Sequence, residues 1–167
     1  MCGIAGFISP NLDQEQLHDN TRALQHRGPD AEGIYFEEKG KYNIGLGHRR
    51  LSIIDLSSAG NQPMFSHSGR FIMVYNGEMY NYKEIRKSKF DQYSWRSSSD
   101  SEVILESFAK YGPGCFEWFN GIFAIAIWDT RENKLTLARD HVGVKPLYYY
   151  YKNNELLFAY WDSMGVD

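Results

Sequence analysis

Four stretches carry residue types whose chemistry can be named before any fold is known. The first is Met1-Cys2-Gly3-Ile4-Ala5-Gly6. Removal of Met1 leaves Cys2 with a thiol and a free α-amine on one carbon, a nucleophile with its own base attached. The amine titrates near pKa ~8 and a free thiol near ~8.5, so both lie close to neutrality. Thiolate is the reactive form, and an adjacent base can take its proton directly or through one water. Cys2 is small at its Cβ, which suits trimming of the initiator methionine. Gly3 and Gly6 permit unusual dihedrals beside it. The plain alternative is an ordinary buried cysteine.

The second stretch is His48-Arg49-Arg50-Leu51-Ser52-Ile53-Ile54-Asp55. Adjacent residues of an extended strand point to opposite faces. One arginine can therefore be solvated while the other grips a carboxylate bidentately inside a pocket. The plain alternative is two surface arginines. The third stretch, Asn76-Gly77-Glu78, follows the apolar run Phe71-Ile72-Met73-Val74-Tyr75. Asn-Gly is a strong hairpin signal and reads first as a type I′ turn. It can equally present the Asn76 amide and the Gly77 N–H to one point, as an oxyanion hole. The segment after it, Met79-Tyr80-Asn81-Tyr82, is no obvious return strand. The fourth is Ser99-Asp100-Ser101-Glu102. Asp100 falls in the first turn of a helix, where the dipole favours a carboxylate. There it can also face a cavity and bind an ammonium group.

These residues need elements to hold them. Ile4, Ala5 and Phe7 read as a buried strand. Residues 11–26 read as a helix, with Asp13 and Gln16 resembling a capping box and Gly28-Pro29 ending it. From Gly33 the pattern is β, with Gly40 between two alternating runs. Ser99 and Glu102 open a second helix, with Ile104, Phe108 and Tyr111 as its stripe and Gly112-Pro113 as its stop. Residues 120–129 form a near-continuous apolar strand, expected where both faces are covered. Ala124 and Ala126 share its closely packed face. Residues 135–139, 147–151 and 156–159 then read as further strands of a meander, with Asn153-Asn154 at the last turn.

The gross numbers bound the class. At 167 residues the chain is one domain, 1–167, with room for a sizeable core, and 43% apolar residues make it globular. A net charge of −3 without basic runs argues against a nucleic-acid or membrane-surface partner. No apolar stretch reaches the ~20 residues of a membrane span, and no secretory signal precedes Arg22. Two cysteines are too few for a disulfide framework, so a reducing, cytoplasmic setting fits. Five scattered histidines show no ligand spacing, so no metal or other cofactor is expected.

Taken in order, Cys2-Gly3-Ile4, Arg27-Gly28-Pro29-Asp30, Arg50-Leu51-Ser52-Ile53, Asn76-Gly77-Glu78, Ser99-Asp100 with Glu102, and Arg139-Asp140 with Gly143 form a set. On it the chain resembles the glutaminase domain of class II glutamine amidotransferases, the N-terminal-nucleophile hydrolase type. The nearest likeness is to the amino-terminal half of glutamine-dependent asparagine synthetase, from Cys2 to about Ala159. The resemblance implies an α+β fold, a four-layer αββα sandwich of two antiparallel sheets. It implies attack of Cys2 on the side-chain amide of L-glutamine, with Asn76 and Gly77 as oxyanion hole. By the same likeness Arg50 holds the substrate α-carboxylate, and Asp100 with Glu78 its α-ammonium. Leu51, Ile53 and Ile54 line the pocket. Ammonia is released for an asparagine-synthetase-like amidation, by a separate synthetase domain or subunit. The chain departs from the family pattern in lacking a Ser-Gly-Gly-x-Asp-Ser loop, and residues 160–167 replace an expected Ser-Glu-x-Lys run. Two other readings stay open: a glutamine-binding or regulatory module without turnover, and a truncated remnant of a synthetase.

Overall fold

The computed structural model describes residues 2–51 and 60–160. The first sheet contains β1 (Gly3–Ser9), β2 (Ala31–Lys39) and β3 (Tyr42–Arg50) together with β8 (Tyr148–Lys152) and β9 (Glu155–Ala159), in the order β2-β3-β1-β9-β8. The second runs β4 (Met64–Phe65), β5 (Phe71–Met79), β6 (Gly121–Asp129), β7 (Lys134–Arg139) in sequence order. Each neighbouring pair is antiparallel. Helix α1 (Gln14–Ala23) packs on β1 and β3, while α3 (Asp100–Tyr111) packs on β5 with α2 (Tyr82–Lys89) against it. The result is the αββα sandwich, two sheets face to face with helices outside.

Local chemistry accounts for the element ends. Asp13 Oδ1 accepts from the Gln16 N–H at 2.9 Å, and Gln16 Oε1 accepts from the Asp13 N–H at 2.9 Å, a complete capping box. The cap on α3 is only half of one. Ser99 Oγ accepts from the Glu102 N–H, but the Glu102 carboxylate turns to the backbone N–H groups of Arg96 and Ser97 and to His67. Gly40, at φ +64°, makes the β2–β3 turn where a side chain would be strained.

Strand β6 separates two cores by the parity of its residues. Ala124, Ala126 and Trp128 face the seam between the sheets, packed with Ile4, Ile44, Leu46, Ile72 and Val74. Phe123, Ile125 and Ile127 face the other way, toward Val103, Ile104 and Phe108 of α3. Ala124 and Ala126 leave room on that face, which Trp128 and the side chains of the facing sheet share.

The structure departs from the sequence reading in four places. Asn76-Gly77 is not a turn but lies inside β5, paired with Ala124 and Phe123. The glycine is there for clearance, since a Cβ on Gly77 would stand 2.1 Å from the Ile122 carbonyl oxygen. Residues 82–89 form α2, which the sequence reading did not include. The last two strands do not extend the meander: β9 pairs with β1 in the opposite sheet, Gly6 against Phe158, so the chain crosses between layers after β7. Lastly, both Arg49 and Arg50 are buried; Arg49 reaches the outer face, where its Nε donates to the Gly28 carbonyl at 3.1 Å and its head pairs with Glu32.

Candidate active site

Where the open ends of β1, β3 and β5 meet the start of α3, the fold leaves a cavity of about 200 Å³. Cys2, Arg50 and Leu51 line it from the first sheet, and Asn76, Gly77 and Glu78 from the second. Asp100 contributes from the first turn of α3. The predicted positions Ile53 and Ile54 lie outside the described residues.

Register explains the first-sheet side. Gly3 pairs with Arg49 and Ile4 with His48, so one step further Cys2 falls opposite Arg50 and shares its face. The Cys2 sulfur is held at Leu51, accepting from the Leu51 N–H at 3.4 Å and donating to its carbonyl at 3.7 Å. Burial pushes the thiol above its ordinary range; the Leu51 backbone, the positive chain terminus and Arg50 pull the other way without cancelling it. The thiol is therefore protonated at neutral pH. Arg50 Nη1 donates to Asn61 Oδ1 at 2.6 Å, which fixes the guanidinium at the cavity wall.

The second-sheet side depends on β4 being two residues long. Backbone N–H and C=O groups of alternate strand residues point to the same side. The Phe71 N–H bonds to Ser66 Oγ on the β4 side, and Phe71, Tyr75, Gly77 and Met79 share that parity. Before Met64, among the described residues, there is no strand to meet them. Side chains take over: the Tyr75 N–H donates to Gln62 Oε1 at 2.6 Å, and the Met79 N–H to Asp100 Oδ2 at 2.9 Å. Between these two capped groups the Gly77 N–H points into the same open side. Beside it, the Asn76 side-chain nitrogen Nδ2 is buried without a hydrogen-bond partner. A buried amide left unpaired costs about 1–3 kcal/mol, so a polar ligand that met it would recover that energy on binding.

Asp100 is 5% exposed and also accepts from the Tyr75 hydroxyl at 2.8 Å. Burial first, then the Asp100 charge, raises the Tyr75 phenol well above its usual value, so it remains a donor. Glu78 is exposed at the rim. The site thus offers a sulfur, two amide donors, a cation and a buried anion around one small void.

A glutamine amidotransferase domain model matches residues 1–162. The chain belongs to that family. Among relatives of this glutamine amidotransferase domain, the asparagine synthetase [glutamine-hydrolyzing] 2 of Bacillus subtilis is 39% identical, over 95% of this chain and 21% of its own length. The amidase chry2 of Gibberella zeae is 38% identical, over 95% of this chain and 25% of its own. The domain thus spans between a fifth and a quarter of the length of these relatives. A solved structure of glutamine phosphoribosylpyrophosphate amidotransferase from B. subtilis superposes with a TM-score of 0.76 over 95% of this chain and 41% of that one. At 21% identity it attests the sandwich fold.

The sequence reading missed His48, Gln62 and Tyr75, all of which line the cavity of this amidotransferase domain. His48 was within reach of the argument already made for the arginines, because residues two apart in a strand share a face. Gln62 and Tyr75 had no such signal, since their place follows from where β4 starts. Asp140, conversely, serves the fold at the end of β7, where its carboxylate accepts from the backbone N–H groups of Phe123, Val144 and Lys145.

Proposed function

We propose that this chain is a single domain, 1–167, that hydrolyses L-glutamine to L-glutamate and ammonia with Cys2 as nucleophile once Met1 is removed. The observation that carries the reading is the unpaired Asn76 Nδ2 beside the Gly77 N–H, in a cavity that also holds the Cys2 sulfur. Arg50 binds the α-carboxylate, and Asp100, with Glu78 at the rim, the α-ammonium. Leu51 aligns the sulfur with the side-chain amide.

The freed α-amine of Cys2 accepts the thiol proton as sulfur attacks the amide carbon. The carbonyl oxygen becomes an oxyanion between Asn76 and Gly77, donors already in position and so needing no rearrangement at the moment of reaction. Collapse breaks the C–N bond, and ammonia leaves with the proton returned by the α-ammonium. Water then attacks the thioester, with the amine as base again, and glutamate departs from the regenerated thiol. We extend the reading to the ammonia acceptor: the size of the synthetase relative favours a separate synthetase domain or subunit.

A second reading has one observation in its favour. The burial that raises the Cys2 thiol would leave a Met1-bearing chain with a protonated sulfur and no adjacent amine. Such a chain binds glutamine without turning it over. Ammonia release from Met1-free protein, measured beside a Cys2→Ser variant, separates the two. Turnover lost by ~10³-fold or more in the variant supports hydrolysis. Glutamine binding by calorimetry with no ammonia from the Met1-free parent sinks it.

A further inference from the structure

Asp100 has two carboxylate oxygens, and the fold uses them differently. Oδ2 accepts from the Tyr75 hydroxyl at 2.8 Å and from the Met79 N–H at 2.9 Å. Among the described residues no hydrogen bond reaches Oδ1, although Asp100 lines the cavity and is buried. The two donors come from one strand, on either side of Gly77. Tyr75 is itself held fast. Its N–H donates to Gln62 Oε1 at 2.6 Å, its backbone pairs with Ile125 of β6, and its ring packs in the core with Val103 and Ile104 of α3. A buried phenol needs a partner on any account. What sets this one apart is that it shares a single carboxylate oxygen with a backbone donor and leaves the second oxygen to the cavity. A substrate α-ammonium brings three N–H donors and needs acceptors whose lone pairs are not already engaged. Oδ1 is such an acceptor.

We propose that Tyr75 is a positioning residue for substrate selection: by tying down Oδ2 it aims Oδ1 of Asp100 at the substrate α-ammonium, so that the site prefers a free α-amino acid to an amide lacking that group. The proposal rests on the glutaminase reading, in which Asp100 binds the ammonium, and adds a residue that acts through it. It assigns Tyr75 no contact with the reacting atoms. Without the hydroxyl, only the Met79 N–H holds Oδ2, and the carboxylate is free to rotate until Oδ1 no longer faces the ammonium. The oxyanion donors Asn76 and Gly77 belong to β5, which pairing with β6 keeps in place. The loss therefore falls on binding of the amino group and not on the chemical step.

The test removes the hydroxyl alone, by Tyr75→Phe in Met1-free protein, and compares two ligands. One is L-glutamine; the other is 4-carbamoylbutanoate, the same molecule without its α-amino group, measured as a competitive inhibitor. For Y75F, KM for glutamine rises ~5–30-fold with kcat within ~3-fold of the parent, while the inhibition constant of 4-carbamoylbutanoate changes by less than ~3-fold. In an Asp100→Asn background the same change lowers kcat/KM by less than ~2-fold, because the group through which Tyr75 acts has already lost its charge. Parental KM in Y75F overturns the inference, as does full additivity with Asp100→Asn. An equal loss for both ligands also overturns it, since that marks a general distortion of the cavity, and so does a loss carried by kcat. Failure of Y75F to melt cooperatively has the same force, because the hydroxyl would then serve the fold. A parent that releases no ammonia sinks the glutaminase reading and this inference with it, a result distinct from an active parent whose KM ignores the hydroxyl.

Discussion

The two cysteines of this chain lie in regions that treat the same atom oppositely. Cys115 is wholly buried in the core beneath α3, in one cluster with Val103, Phe108 and Phe119. Burial drives its thiol up to about 12. Cys2 is half-buried, and burial raises its thiol too, but a cation, a chain terminus and two backbone contacts surround it. Burial alone therefore does not distinguish an inert thiol from a nucleophile. What differs is the opposite wall: apolar rings face Cys115, while Cys2 looks across a void at the unpaired Asn76 amide.

That contrast can be broken from the wall side first. Asn76→Ala removes the orphan donor and is expected to lower kcat by ~10²–10³-fold with the fold intact, read by steady-state ammonia release. A smaller loss would show that the wall does not make the difference between the thiols. Alkylation sharpens the contrast next. Iodoacetamide on the native protein should label Cys2 and leave Cys115 unmodified, as peptide mass spectrometry will show. Because the Cys2 pKa is raised, its thiolate fraction is small at pH 7, and labelling of Met1-bearing protein accelerates as pH climbs past the ordinary thiol range. Met1-free protein should react faster at neutral pH, where the amine serves as base.

Smaller effects probe the Cys115 side. Cys115→Ser places a hydroxyl among aromatic rings and is expected to cost about 1–3 kcal/mol of stability while kcat stays parental. The linkage has a definite sign. A folded pKa raised to about 12 from 9.0 gives stability that is complete below 9 and lost as pH rises toward 12. Replacing Cys115 with Ala should therefore flatten part of the alkaline fall in melting temperature over that window, relative to the parent.

Local signals carried a good part of the fold. The capping box at Asp13, the stop at Gly28-Pro29 and the Ala124/Ala126 face of β6 are each written in a few neighbouring residues, and each is used as written. Asn76-Gly77 is ambiguous by residue type because the same pair serves two physical needs. A turn wants glycine for positive φ, whereas β5 wants it for room against Ile122. The crossover that sends β8 and β9 to the first sheet had no local mark either, since alternation sets which face of a strand is apolar and not which sheet it joins.

The sequence by itself determined the chemical parts of the site: a sulfur at the second position, an arginine at the end of a strand, an amide beside a glycine, and a carboxylate in the first turn of a helix. Those are properties of residue type and local position. Only the tertiary structure decided that β4 begins no earlier than Met64 and so opens the edge of β5. That leaves the Gly77 N–H uncovered, calls Gln62 and Asp100 in as caps, and sets the amide of Asn76 across from Cys2. The reason is that hydrogen-bond satisfaction along a sheet edge depends on which strand lies beside it, and no local run of residues encodes its neighbour.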